Sequence, residues 1–274
     1  MIGIIGQGFV GSAVYHKFKQ HEKVLTYDLE KGKCNSSFDE LQLESKIIFI
    51  CLPTPMNKNG SCNLSIIENV LHKLNKVGKY IIIIKSTVIP GTTNKWNKKY
   101  KDLDIVFNPE FLTEANAIND YENQNRIILG GKRPTTTNLK PLFAKVFPKA
   151  HIIKTDSTHA EMVKYITNTF LSVKVSYANQ IQKLCEALNI DYDKLIEYAT
   201  YDERIGKSHW AVPGPDGKFG YGGSCFPKDI KALIYLANEL QVDISMLETS
   251  WEANLKQRPE KDWEQLLGRA ITKE

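Results

Sequence analysis

The first eleven residues constrain the fold more than any other stretch. Met1 to Gly6 is a short apolar run, and Gly6-Gln7-Gly8-Phe9-Val10-Gly11 follows with no spacer, a GxGxxG pattern set between a strand and a helix. Glycines in such a turn let a ligand approach backbone that a side chain would block. Lys23 to Asp28 reads as a second strand ending in an acid, 22 positions after Gly6, the spacing at which a carboxylate meets a ribose in a dinucleotide fold. That carboxylate accepts hydrogen bonds from ribose hydroxyls and repels a 2′-phosphate, so NAD is expected rather than NADP. A flavodoxin-like sheet with a merely tight first turn is the other reading of this stretch.

Strand signals recur at Lys46 to Leu52, Tyr80 to Lys85, Asp104 to Phe107, Arg126 to Leu129 and His151 to Ile153. Continuous apolar runs imply burial on both faces, hence a parallel sheet with helices on either side. Leu64 to Val77 and Thr135 to Phe147 carry helical spacing between them. After Asp156 the strand signals stop, and Thr158 to Leu188 reads as one helix roughly 45 Å long. The expected architecture is α/β: a Rossmann-type doubly wound sheet over residues 1–156, then an all-helical domain over 157–274 entered by that long helix. Thr158 and Glu161 form a capping-box pattern, which makes Glu161 structural. Val163, Ile166, Phe170, Val173, Tyr177, Ile181, Leu184 and Leu188 form an apolar stripe that is either core or a dimer seam.

The net charge of +5 comes from 36 basic and 31 acidic residues interspersed along the chain, so nucleic acid is not implied, although a mild positive field suits an anionic ligand. The five cysteines are scattered without a CxxC pair, which suggests neither a disulfide framework nor a metal site and fits a reducing cytoplasm. No stretch approaches the roughly 18 apolar residues of a membrane span.

The second half centres on GYGGSCFPKD, Gly220 to Asp229. Pro227 suits the first turn of a helix, which puts Cys225 at or just before its N-terminus. The helix end and Lys228 there favour thiolate over thiol. A lone cysteine is otherwise a small buried hydrophobe. Three loops at strand ends carry polar residues where a doubly wound sheet binds ligands: Pro53-Thr54-Pro55, Ser86-Thr87, and Asn108 to Glu114. Glu110 and Glu114 sit four apart where a helix would begin, and one turn would set both carboxylates on one side. Lys164 and Asn168, also four apart, form a turn able to hold an oxyanion; a solvated face is the alternative. The loop from His209 to Phe219 leads into the cysteine segment, and His209 itself reads as surface or structural and not as a ligand.

Together these segments resemble the UDP-glucose/GDP-mannose dehydrogenases, through GQGFVG, CLPTP (Cys51 to Pro55), KSTV (Lys85 to Val88), NPEFLTE (Asn108 to Glu114), EMVKYITN (Glu161 to Asn168), DERIG (Asp202 to Gly206) and GYGGSCFPKD. The resemblance implies an NAD-dependent four-electron oxidation of a nucleotide sugar's primary alcohol, of the UDP-glucose to UDP-glucuronate type. Cys225 matches the family's nucleophile, which forms a thiohemiacetal and then a thioester. Lys164 and Asn168 match its oxyanion holders, while Asp229, Thr87 and Glu110 would position water and move protons. Gly6, Gly8, Phe9, Val10, Gly11, Asp28, Lys33, Thr54, Thr87, Glu114 and Lys228 would contact the cofactor. Glu110, Phe111, Leu112, Lys164, Asn168, Arg204 and Gly222 would contact the substrate, and the Pro213 to Gly222 loop would cover the sugar. Arg204 matches an arginine that reaches a neighbouring subunit's substrate, so a homodimer through the 158–188 helix is expected. No metal is implied.

Family members also carry a third, C-terminal domain that holds the nucleotide; the chain stops at Glu274 and is expected to lack it. A nucleotide sugar or a sugar phosphate therefore remains open as substrate. Two further readings stay open as well: a two-electron β-hydroxyacid-type dehydrogenase, and a catalytically silent NAD-binding interaction protein.

Overall fold

The computed structural model describes residues 1–273. Seven strands, β1 (Ile2–Ile5), β2 (Val24–Tyr27), β3 (Ile47–Ile50), β4 (Tyr80–Ile84), β5 (Leu103–Phe107), β6 (Arg126–Gly130) and β7 (His151–Thr155), form one sheet in the order β2-β1-β3-β4-β5-β6-β7. Between them run α1 (Phe9–Phe18), α2 (Phe38–Glu44), α3 (Ser65–Asn75), α4 (Thr92–Lys99), α5 (Ala117–Glu122) and α6 (Arg133–Val146). They are followed by α7 (Ser157–Leu188), α8 (Tyr192–Ala199), α9 (Phe226–Glu239) and α10 (Ser245–Gln257). By packing the chain divides into two compact units, Met1–Thr54 with Leu64–Lys164, and Pro55–Asn63 with the chain from Tyr165 onward.

In the first unit, successive strand residues feed opposite cores. Ile82 and Ile84 pack with Leu41, Ile67, Leu71 and Trp96 from α2, α3 and α4, whereas Ile83 between them packs with Val14, Phe18, Leu139 and Phe143 from α1 and α6. Burying each such side chain contributes about 1.5–3 kcal/mol, which explains strands that are apolar throughout instead of alternating. Residues 35 and 36 run along the free edge of β2, where Asn35 and Ser36 donate backbone N–H bonds to Thr26. The strand order switches direction at β1 and β3, so the loops Gly6–Gly11 and Cys51–Thr54 border the crevice in which doubly wound sheets bind ligands.

The sheet is not wholly parallel, as the apolar runs had suggested: β6 pairs antiparallel to β5, and β7 is parallel to β6. The connection from β5 explains the reversal. It spends its residues on an irregular stretch from Asn108 to Thr113, and α5 has only 6 residues. A helix of that length rises about 9 Å, too short to recross a five-residue strand of about 16 Å.

The second unit is helical. Its main element, α7, has 32 residues, about 48 Å at 1.5 Å per residue. The capping box expected at its start does not form. Asp156 caps instead, its Oδ1 accepting from the His159 N–H at 3.1 Å, while Glu161 caps a different helix by accepting from the N–H groups of Gly91 (2.6 Å) and Thr93 (2.8 Å) at the start of α4. The apolar stripe is not core: Ile166, Phe170, Tyr177, Leu184 and Leu188 are exposed. The face that α7 buries is largely polar, with Ser176 bonded to Ser250 on α10 and Asn179 accepting from the Gly220 N–H. Helix α9 packs Ile230 and Ile234 against Tyr221 and Trp251. Segment 55–63 joins this unit because Met56 exchanges backbone hydrogen bonds with Ala270 and Thr272, and Gly60 abuts Lys231.

Candidate active site

The glycine turn of the first unit is shaped by steric necessity. A Cβ on Gly11 would collide with the Gly6 carbonyl oxygen, and Gly6 itself holds φ +93, a conformation that favours glycine. Gly8, the N-cap of α1, faces open space where a Cβ would meet no atom within 4 Å. The first N–H groups of α1 thus border an accessible gap, an arrangement suited to a pyrophosphate. At the end of β2, Asp28 is tied to the turn: its Oδ2 accepts from the Gln7 N–H at 2.6 Å and its Oδ1 from the Glu30 N–H at 3.0 Å. Thr54 Oγ1 donates to the Thr87 carbonyl at 2.8 Å, which joins the loops after β3 and β4. These features fit a bound dinucleotide.

Two lysines grip the loop after β5. Lys164, 4% exposed, donates from Nζ to the Glu110 carbonyl at 2.7 Å and to Glu110 Oε1 at 2.8 Å. Lys85, at the end of β4, donates to Asn108 Oδ1 at 3.0 Å and to the Pro109 carbonyl at 3.3 Å. Burial alone would raise the Glu110 carboxyl, but the charge and hydrogen bond of Lys164, the Leu112 N–H and the charge of Lys85 outweigh it and hold the group below its usual range. Burial pushes Lys85 down to about 8, against the opposing charge of Glu110. Phe111 lies between cations, with the Arg126 guanidinium 4.1 Å and Lys164 Nζ 5.7 Å from its ring centre.

Glu110 and Glu114 do not share a helix face. The segment has no regular structure through Thr113, with Glu110 buried and Glu114 exposed on a 3-10 turn. Lys164 draws Glu110 inward, and Asn108 Nδ2 donates to the Ile128 carbonyl on β6, so the start of the segment is held to the sheet and the helix begins only later.

In the second unit, Cys225 is the N-cap of α9, and Pro227 occupies its first turn. Asn168 donates from Nδ2 to Asp229 Oδ2 at 2.6 Å, and Lys228 contacts Asp229 Oδ1. Burial would lower the Lys228 ammonium, but Asp229 in contact, with Cys225 and Cys62 nearby, outweighs it and keeps the group charged. The thiol therefore sits at a helix N-terminus, with the Lys228–Asp229 pair in the next turn of chain.

Two models of one family match the sequence. The UDP-glucose/GDP-mannose dehydrogenase family's NAD binding domain covers residues 22–147 and its central domain covers residues 158–256. The chain belongs to this family. The UDP-glucose 6-dehydrogenase of Haloferax volcanii is 31% identical over 89% of the chain and 60% of its own length. The GDP-mannose 6-dehydrogenase of Pseudomonas aeruginosa is also 31% identical, over 86% of the chain and 57% of its own length. The chain thus spans about 60% of the length of the curated relatives it matches. Among solved structures, a UDP-glucose dehydrogenase from Pyrobaculum islandicum shares the fold with a TM-score of 0.82 at 24% identity, covering 97% of this chain and 70% of that one.

Of the residues that the family resemblance singles out, the fold brings Glu110, Phe111, Leu112 and Lys164 together, and separately joins Asn168 and Asp229 with Lys228 next to Cys225. Lys33 pairs with Glu30 on an exposed turn. Arg204 is exposed and binds Asp202 through Nε and a terminal nitrogen. His209 is half-buried against Phe226, at φ 65, with Nδ1 unbonded. Sequence reasoning missed the part of Lys85. It stands at the end of an apolar strand in KSTV, and a buried cation there needs partners that lie 23 residues further along.

Proposed function

We propose that the chain catalyses the NAD-dependent four-electron oxidation of the primary alcohol of a nucleotide sugar to a carboxylate. The observation that carries this reading is the Asn168–Asp229–Lys228 cluster beside Cys225 at the start of α9, since a two-electron oxidation has no use for a nucleophilic thiol. NAD, held by Gly6, Gly8, Phe9, Val10, Gly11, Asp28, Lys33, Thr54, Thr87 and Glu114, would supply the hydride acceptor in each of the two oxidations. Lys164 and Asn168 steady the alkoxide as the alcohol loses its proton. The Cys225 thiolate adds to the aldehyde carbon, which converts the carbonyl to a thiohemiacetal; loss of the second hydride leaves a thioester. Water, oriented by Asp229 and Thr87, attacks the acyl carbon, the C–S bond breaks, and the thiolate is restored. Glu110, held as a carboxylate by Lys164, helps to position that water. Overall, an alcohol, one water and two NAD give a carboxylate, two NADH and three protons.

The substrate reading assigns Phe111, Leu112, Arg204 and Gly222 to the sugar. Relatives named for UDP-glucose match at 31% and 34% and one named for GDP-mannose at 31%, a difference too small to choose the nucleotide. A homodimer through the exposed face of α7 and a reducing, cytoplasmic location belong to the same reading; the latter is in keeping with five cysteines that form no disulfide among the described residues.

The test is NADH stoichiometry across a panel of nucleotide sugars and sugar phosphates. Two NADH per substrate with at least one compound is expected, and Cys225→Ser should stop the reaction at the aldehyde. One NADH per substrate, with Cys225→Ser still active, would instead mark a two-electron dehydrogenase. No NADH with any compound, together with an unreactive Cys225, would mark a silent NAD-binding protein.

A further inference from the structure

The residues just after α10, Arg258 to Asp262, form a charged cluster that touches both loops leading to Cys225. Arg258 is 1% exposed, and a buried guanidinium is rare unless it is paired. Its terminal nitrogen donates to Asp216 Oδ2, and among the described residues this is the one hydrogen bond the guanidinium makes. Its Nε lies 3.7 Å from Glu260 Oε1 and 3.6 Å from Asp262 Oδ1.

Each partner leads to a different stretch of loop. Asp216 sits in a closed turn in which the Gly214 N–H donates to the Lys218 carbonyl at 2.7 Å and the Gly217 N–H to the Gly214 carbonyl at 2.8 Å. Lys218 adds a second tie to the cluster, 3.3 Å from Glu260. Asp262 Oδ2 accepts from the Gly223 N–H at 3.1 Å, two residues before Cys225. A Cβ on Gly222 would collide with the Asp262 carboxylate and the Arg258 guanidinium. A side chain at Gly222 would thus have to displace charged groups pressed against its backbone, a reason for glycine independent of any ligand.

We propose that Arg258 is a positioning residue: through Asp216 it fixes the 213–219 loop and through Asp262 the Gly222-Gly223 turn, so that one buried cation sets the sugar-covering loop and the Cys225 thiol together. The inference rests on the reading of Cys225 as nucleophile. Neutralising one carboxylate loosens one stretch and leaves the other in place.

The experiment uses the full chain. Asp216 is half-exposed, and Asp216→Asn removes its pair without opening the core. Trypsin nicking after Lys218 is expected to accelerate about fivefold or more, and KM for the sugar substrate to rise about tenfold with kcat little changed. Asp216→Glu, which keeps the charge, should restore slow nicking. Asp262→Asn should leave nicking slow but change the iodoacetamide rate at Cys225 by about threefold or more and lower kcat. Circular dichroism checks that each variant is folded. Unchanged nicking in folded Asp216→Asn, or an unchanged alkylation rate in folded Asp262→Asn, would overturn the proposal. Nicking and alkylation do not depend on turnover: a loss of both responses in an enzyme that makes NADH refutes the clamp alone, whereas clear responses in a protein that makes no NADH refute the dehydrogenase reading alone.

Discussion

Glu110 and Lys164 are each buried, and neither charge is tolerable alone. Removing one partner of such a pair leaves an uncompensated charge, at a cost of about 3–5 kcal/mol. Lys164→Met should therefore lower stability by that order, and the double variant Lys164→Met/Glu110→Gln should regain much of it; urea unfolding of the four proteins in the cycle measures the coupling. Lys85 makes a prediction with the opposite pH sense to an ordinary ion pair. Its folded value of about 8 lies below the usual lysine range, so between about pH 8 and 10.4 the unfolded chain holds a proton that the folded chain has released. Lys85 thus adds stability as pH rises through that window and subtracts up to about 3 kcal/mol below it. Cys51, whose thiol burial pushes up to about 12, acts in the other direction above about pH 9. In Lys85→Met the rise with pH should vanish, so its stability relative to the wild type should be most favourable near pH 7 and least near pH 10. Equal differences at both pH values would show that Lys85 titrates normally.

At the scale of elements, α7 shows both what a sequence pattern can say and where it stops. Its length and its stripe were legible because helical spacing is local. Which face lies inward was not, because that depends on partners far along the chain: Ser176 and Asn179 meet Ser250 and Gly220, 74 and 41 residues away. Glu161 was correctly read as structural for the wrong helix, since an N-cap on α4 supplied from 68 residues later leaves no local trace. Cys225 at the start of α9 was legible because proline at a first turn is a local rule. Two predictions follow from these faces. Glu161→Ala leaves the buried N–H groups of Gly91 and Thr93 without an acceptor and should cost about 1–3 kcal/mol in thermal or urea unfolding. Phe170→Glu, on the exposed stripe, should convert a dimer to monomer in sedimentation velocity with helix content unchanged; a monomeric wild type would remove the dimer reading.

For the molecule as a whole, the glycine turn and the cysteine segment belong to different units: the glycine turn and Asp28 lie in the first, Cys225 and Asp229 in the second. The first unit was the more legible, because strands buried on both faces announce themselves; the reversal at β6 and the transfer of residues 55–63 to the second unit did not, since each depends on the lengths and pairings of segments that look like ordinary loop. The Asp28 carboxylate is locked by the Gln7 and Glu30 N–H groups, so it cannot swing aside to admit a 2′-phosphate. NAD at a hundredfold excess over its dissociation constant should stabilise the folded chain by about 2.7 kcal/mol, visible as a raised melting transition, while NADP at the same concentration should not. In Asp28→Ala the repulsion and the ribose contacts go together, so the NAD shift should shrink and the gap between the two cofactors should narrow. If NADP protects the wild type as well as NAD does, Asp28 does not read the ribose and the cofactor assignment at that position fails.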